Sequence, residues 1–372
     1  MLRPSLIFGL GWLAVASCTV ARPSLAVETD GQSAFSLLPE STVAVLHVPD
    51  PGDVISLIFD HPLREEIESL TPYQTAIAST QYKQFLFGRT LVEGHLQMPW
   101  REALETFLAK GVTVALDGET QGIAILIRGK DEAAMCLLAE KLVVFAKLRP
   151  NPDQIKQGEY RGITVHQVDR IRFAVFDDRL VITNQSDLGK QIVDRILDGG
   201  ASFSDDLEFR SARESRVDDE AAWAYADVDA LREAGVASAL FTDQIDNPVG
   251  EILAGGIQSS LQQSPYVTAS LRADSSELEL QVQMPHQADW VPESREYYFG
   301  PDGEGNAPTL PRLQGTLFSL QTYRDFSQVW MRAGDLFGAE VNDSLAQADA
   351  NLTTLFAGKD FGEDILGSFE PQ

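Results

Sequence analysis

Hydrophobic and polar residues alternate along this chain with two different periods, and the switches between them mark its elements. Val112-Thr113-Val114-Ala115-Leu116 and Ile123-Ala124-Ile125-Leu126-Ile127 flank a turn-rich segment with Asp117-Gly118, the signature of a β-hairpin. Residues 131–148 then place Met135, Leu138, Leu142 and Phe145 at helical spacing, which predicts a well-buried helix. Residues 163–168, 171–176 and 179–183 are short strand-like runs separated by Asp169-Arg170 and Asp177-Asp178. Connections that short force antiparallel neighbours, because a parallel pair needs a long crossover. The meander feeds a helix that Ser186 can cap, with Leu188, Ile192, Val193 and Ile196 on one face and Gly199-Gly200 as its stop.

Further along, Val267, Ala269 and Leu271 alternate with polar residues, as do Leu278, Leu280, Val282 and Met284. This reads as a strand pair with its apolar face packed and its polar face wet. A strand, a capped turn and an amphipathic helix recur at 42–48 with 53–59, at 221–226 with 227–233, and at 315–321 with 322–330. The expected fold class is therefore α+β: antiparallel hairpins and meanders with helices packed against them, built as a duplicated module. The expected divisions are a signal peptide at 1–26, an N-terminal α+β unit at 27–202, a charged connector at 203–220 and a second α+β unit at 221–372. The connector mixes acids and arginines with few apolar residues, which suits an exposed element.

Charge narrows the partners. Lys and Arg total 29 against 55 Asp and Glu, a net charge of -26, so the field of the protein repels phosphate backbones and nucleic acid is not an expected partner. The N-terminus carries the layout of a secretory signal: Arg3, an apolar run from Leu6 to Ser17, then small residues. The run is too short to span a membrane, so no transmembrane helix is expected in the mature chain. Two exits are open. Ser24-Leu25-Ala26 fits a signal-peptidase site, and Val15-Ala16-Ser17-Cys18 resembles a lipobox, in which Cys18 would be lipidated and tether the chain by lipid. Export places the protein in the periplasm or on its membranes. Cys136, in an apolar helical run without a neighbouring base, reads as a buried structural thiol.

Familiar catalytic signatures are absent: there is no G-x-S-x-G, H-E-x-x-H, G-x-x-x-x-G-K-[ST], G-x-G-x-x-G or C-x-x-C. His47, His61, His95, His166 and His286 never fall at i,i+3 or i,i+4, so no helix face presents a metal pair, and neither a metal nor a cofactor is expected. Residues 285–315 hold five prolines together with Trp290, Tyr297, Tyr298 and Phe299. Long irregular segments of this kind serve as binding loops or as straps that pack across a domain. Trp290, Tyr297, Tyr298, Asp302 and Glu304 are accordingly the candidate binding residues. Asp302, Glu304 and Asn306 have the alternate spacing of calcium ligands, but Ala307 and Leu313 break the loop pattern, and a polar turn is the reading that remains.

Tyr298-Phe299-Gly300-Pro301-Asp302-Gly303-Glu304-Gly305, Gly358-Lys359-Asp360-Phe361-Gly362-Glu363-Asp364-Ile365-Leu366 and the early Leu37-Leu38-Pro39-Glu40-Ser41-Thr42 together carry a resemblance. The chain resembles a large family of exported bacterial proteins of unknown function. The family supplies no catalytic residues to carry over. Its members continue beyond the Asp-Phe-Gly-Glu-Asp phrase, which implies that this chain is a piece of a longer one, with its second unit incomplete. The expected function is that of a non-enzymatic binding or scaffolding component of the envelope, meeting an unknown protein or ligand. The alternative is an exported hydrolase with a site assembled from residues of both units.

Overall fold

The computed structural model describes residues 33–60, 64–147, 155–214, 220–235, 247–273, 278–300, 305–307 and 322–369. The fold is α+β, and its chain divides into two compact units. The first holds residues up to Asp227 together with Thr268–Gln283, and the second holds Val228–Val267 and Met284–Gln372.

Unit one is built on strands β1 (Thr42–Val48), β2 (Val112–Asp117), β3 (Ile123–Arg128), β4 (Ile155–Tyr160), β5 (Ile163–Val168), β6 (Ile171–Phe176), β7 (Arg179–Thr183), β8 (Ala222–Asp227), β9 (Tyr266–Ala273) and β10 (Leu278–Gln283). They join in one ten-stranded sheet of order β10-β9-β8-β1-β2-β3-β7-β6-β5-β4. Every strand pair whose register is defined is antiparallel. At the centre β1 lies beside β8, with Val45 opposite Tyr225 and His47 opposite Trp223. Outward on one side stands the β2–β3 hairpin, and on the other the β9–β10 hairpin. A strand followed by helices and then a hairpin thus occurs twice in the order of elements. Of the third expected copy, the strand at 315–321 lies outside the described residues.

Helices of unit one cover the sheet unevenly. Five run between β1 and β2: α1 (Pro51–Asp60), α2 (Arg64–Ser69), α3 (Thr71–Ala78), α4 (Thr80–Leu96) and α5 (Trp100–Phe107). Helix α6 (Glu132–Lys147) packs on β4, β6 and β7. Its buried stripe is Met135, Ala139, Val143 and Ala146, so the expected Leu138, Leu142 and Phe145 are only partly buried flanks. The stripe is turned by one position from the one expected, with Met135 and Val143 filling the contact and Ala139 and Ala146 fitting between them. Cys136 falls on this flank and is half-buried, where a buried thiol was expected.

On the other face lie α7 (Ser186–Asp198) and α8 (Leu207–Glu214). Helix α7 buries Leu188, Ile192, Val193 and Ile196 and ends at Gly199 with φ 71°, as its sequence dictates. Gln185 rather than Ser186 is its N-cap, without a side-chain bond. The expected connector is not exposed: Phe203, Phe209 and Ala212 are buried, and Phe209 meets Phe35, Phe203, Trp223 and Tyr225 at ring separations of 5.2, 4.1, 5.8 and 5.5 Å. Residues 215–219 lie outside the description. The second division therefore does not begin at 221, because β8 and the β9–β10 hairpin complete the first unit's sheet. On that hairpin the expected sides are inverted: Thr268 and Ser270 are buried, while Leu280 and Val282 are 69% and 57% exposed.

Unit two contains α9 (Val228–Glu233), α10 (Pro248–Gln263), α11 (Glu296–Phe299), α12 (Phe326–Met331), α13 (Ala333–Leu336) and α14 (Ala339–Leu355). Its core is Tyr297, Tyr298, Val329, Leu336 and Phe337. Among the described residues of the whole chain, no helix is long and apolar enough to cross a membrane.

Candidate functional site

A cavity in unit one is made by the meander and the helix that follows it. The turns are as tight as their sequences imply, with left-handed φ at Arg161 (53°), Gly162 (83°), Asp169 (53°) and Asp177 (48°), the backbone that two-residue hairpins favour. Those turns fix the register, and the register sorts side chains into rows. One row crosses the strands as Lys156, Gln167, Arg172 and Thr183, and the next as Gly158, Val165, Ala174 and Val181. Beyond them lies the pair Tyr160 and Ile163. The middle row is unusually small. Helix α7 passes over it with Gly189 and Val193, and the result is a cavity of about 380 Å³, within the range of small-ligand sites.

The two ends of the cavity differ. At the Tyr160 end the sheet is strapped to α7: the Tyr160 hydroxyl donates to Asp194 at 3.0 Å, and Arg161 donates to Asp194 at 2.8 Å and to Asp198 at 2.9 Å. The bond to Asp194 raises the phenol's pKa, with burial adding to it. The bond to Asp198, seconded by Asp194, raises that of Arg161. The opposite end is cationic. Lys156 and Arg172 share its first row, with Lys190 of α7 between that row and Tyr160; Arg172 donates to the Arg170 carbonyl at 3.1 Å, and Lys190 donates to Asp187 at 2.8 Å. That last bond raises the Lys190 pKa and lowers that of Asp187. Glu159 also lines the cavity, but strand alternation aims its side chain at the other face of the sheet.

In unit two the candidate residues Tyr297 and Tyr298 are structural anchors. Pro248 and the Asn247 side chain start α10, the latter accepting from Val249 N at 2.9 Å. Gly255 and Gly256 then let the strap press against the helix. A Cβ on Gly255 would run into Glu251 Oε1, and one on Gly256 into the Tyr298 ring. Arg295 forks onto the fully buried Glu251, Nε to Oε1 at 2.6 Å and Nη2 to Oε2 at 2.8 Å, with Nη1 donating to Ser259 at 2.8 Å. The Tyr297 hydroxyl lies 2.8 Å from the Glu251 carbonyl and 3.0 Å from its Oε1. Burial, together with that carboxylate, pushes the Tyr297 phenol far above its ordinary range. Tyr298 donates to the Leu253 carbonyl at 2.8 Å, and the Arg324 guanidinium caps its ring 3.4 Å from the centroid. Every acid and base in this cluster is spent on another member, so it holds the strap in place and offers no free group. Trp290 is partly exposed on a short turn. Asp302, Glu304 and Cys18 lie outside the described residues. The structure brings Tyr297 and Tyr298 together and leaves Trp290 apart from the cluster they form.

Ser260 and His286 are also paired, Oγ to Nδ1 at 3.1 Å, but the serine is 2% exposed and has no open path to a substrate. Among the described residues no group of His, Cys, Asp and Glu is arranged to hold a metal ion.

Comparison with known proteins adds little. No family model and no curated protein matches the chain. Its solved structural neighbours include TP0453. Crystal form IV of that protein has 11% identity and a TM-score of 0.38, covering 70% of this chain and 82% of its own. Crystal form III has 11% identity and a TM-score of 0.35, covering 68% and 80%. No conclusion about this chain follows from a likeness so distant.

The cavity was not among the sites expected from the sequence. Its signal was present only as scattered small residues, Gly158, Ala174 and Gly189, and as three cations in an acidic chain.

Proposed function

We propose that this chain is an exported envelope protein of the family it resembles, acting as a non-enzymatic binding component, with the cavity between β4–β7 and α7 as its ligand site. The observation that carries this reading is the cavity itself, hollowed by small residues and about 380 Å³ in volume, next to the chemistry of its walls. A general acid and base, or a nucleophile and its base, must lie within hydrogen-bond reach of one reacting atom. Here Tyr160 is committed to Asp194, Glu159 is turned away, and the remaining charged groups on the lining are cations. Such walls hold and orient a ligand without a means of cleaving it. The secretory layout of the first residues and the acidity of the chain support an envelope location and weigh against nucleic acid as partner.

Two measurements test the reading. A fusion of residues 1–30 to a reporter active only outside the cytoplasm should be active, and silence would refute export. Full-length protein purified from its own envelope fraction should show, by native mass spectrometry, a retained small molecule that a Gly158→Val variant lacks. Wild type and variant with identical spectra would refute the cavity as the binding site.

A further inference from the structure

Resting on that reading, we infer that the cavity takes a single-chain amphiphile with an anionic head group. Its chain lies along the Gly158, Val165, Ala174 and Val181 row beneath α7, and its carboxylate or phosphate meets Arg172, Lys190 and Lys156.

Four observations converge on this chemistry. First, the floor is apolar and small, so it offers contact to a slender alkyl chain and no hydrogen bonds to a polar one. The rows from Lys156 to Tyr160 are four residues apart along β4, about 13 Å at the rise of a strand. That depth admits one chain of medium length. Second, charge is placed against the trend of the molecule: with a net charge of -26, three cations on the lining of one cavity are a local reversal that draws anions. Third, those cations are lightly engaged. Among the described residues Lys156 makes no ion pair, Arg172 has its bond to a neighbouring carbonyl, and the Asp187 that holds Lys190 is 76% exposed. An ion pair in water is worth little and is readily exchanged for a better-placed anion. Fourth, the far end is closed by Tyr160 and Arg161 on Asp194 and Asp198. That closed end leaves the side of Lys156 and Arg172 open for an anionic head, which sets the direction of the ligand.

The test uses full-length protein titrated with four probes of equal chain length below their micelle concentrations: laurate, dodecyl phosphate, dodecyl maltoside and dodecyltrimethylammonium. Laurate or dodecyl phosphate should bind at least about tenfold tighter than the maltoside, and the ammonium probe should bind weakest. The relative affinity of the two anions tells a carboxylate site from a phosphate site. Joint replacement Arg172→Gln and Lys190→Gln should weaken the anions by about tenfold or more and leave the maltoside unchanged. Gly158→Val should abolish binding of all four. The new side chain has nothing within 4 Å of its Cβ and a better strand propensity, so the melting temperature should hold or rise. Equal affinity for neutral, cationic and anionic probes would overturn the charge argument. Wild-type binding in Gly158→Val would overturn both this inference and the proposed site. Failure of every amphiphile, with a native small molecule still retained in a Gly158-dependent way, would overturn this inference alone.

Discussion

Replacing Arg295 by methionine isolates the energetics of the strap in unit two. The guanidinium makes two bonds to Glu251 at 2.6 and 2.8 Å and one to Ser259 at 2.8 Å, and the side chains of the ion pair are 5% and 0% exposed. Methionine fills most of the same volume, so the cost of Arg295→Met is electrostatic rather than a packing void. Removing one partner of a buried pair leaves an uncompensated charge and costs about 3–5 kcal/mol. Glu251→Leu alone strands the arginine and should cost a similar amount. In the double variant no charge is left stranded, and Tyr297 keeps its bond to the Glu251 backbone carbonyl. The expected double loss is therefore well below the sum of the singles, with a coupling of about 2 kcal/mol or more. Urea denaturation read by amide hydrogen exchange of α10 and α11 reports this unit by itself. Single losses under about 1 kcal/mol, or strict additivity, would show that solvent screens the pair and that the strap is not held as described.

Two other outcomes follow from unit one. Met135 is 0% exposed, so Met135→Ala should destabilise by about 2–5 kcal/mol, while Leu138→Ala, on the half-buried flank, should cost clearly less; equal losses in urea melts would contradict the packing of α6. His166 is buried against Phe173 at 5.2 Å, and burial lowers its pKa. The unfolded chain therefore takes up the proton first, so this contribution is complete above about pH 6.5 and is lost as pH falls toward the folded value, by up to about 1.4 kcal/mol per pH unit. His166→Gln should flatten that part of the stability profile, and an unaltered slope would refute it.

Much of unit one was legible because its signals are local. Two-residue turns at Asp169-Arg170 and Asp177-Asp178 leave no alternative to an antiparallel meander, and the apolar stripe of α7 is the stripe it buries. What escaped depends on neighbours. Strand β4, Ile-Lys-Gln-Gly-Glu-Tyr, has almost no apolar pattern and exists because β5 offers an edge to pair with. Alternation in β9–β10 separates two faces but cannot say which one the rest of the unit covers, hence the buried Thr268 and Ser270. On α6 the apolar residues run nearly all round the helix, so the pattern did not say which stripe faces the sheet, and Met135, Ala139, Val143 and Ala146 do. The same holds for the cavity, since a hollow is written as missing atoms on four strands and a helix, and only the register brings them together. Against the strap the sign is readable in α10: a glycine inside a helix costs about 1 kcal/mol against alanine, so Gly255-Gly256 marks a close approach.

The pairing of β1 with β8 governs when the sheet can be finished. Ala44 meets Ala226, so almost all of unit one must be available before the central ladder can close. Both flanking hairpins and the β4–β7 meander are joined by short links and can form early, whereas the middle waits for the longest loop in the unit and its closure entropy. Until then one edge of β1 stands bare, with unpaired backbone groups that accept any passing strand. The pairing with β8 is therefore the most non-local closure in the sheet, the kind of contact that forms late.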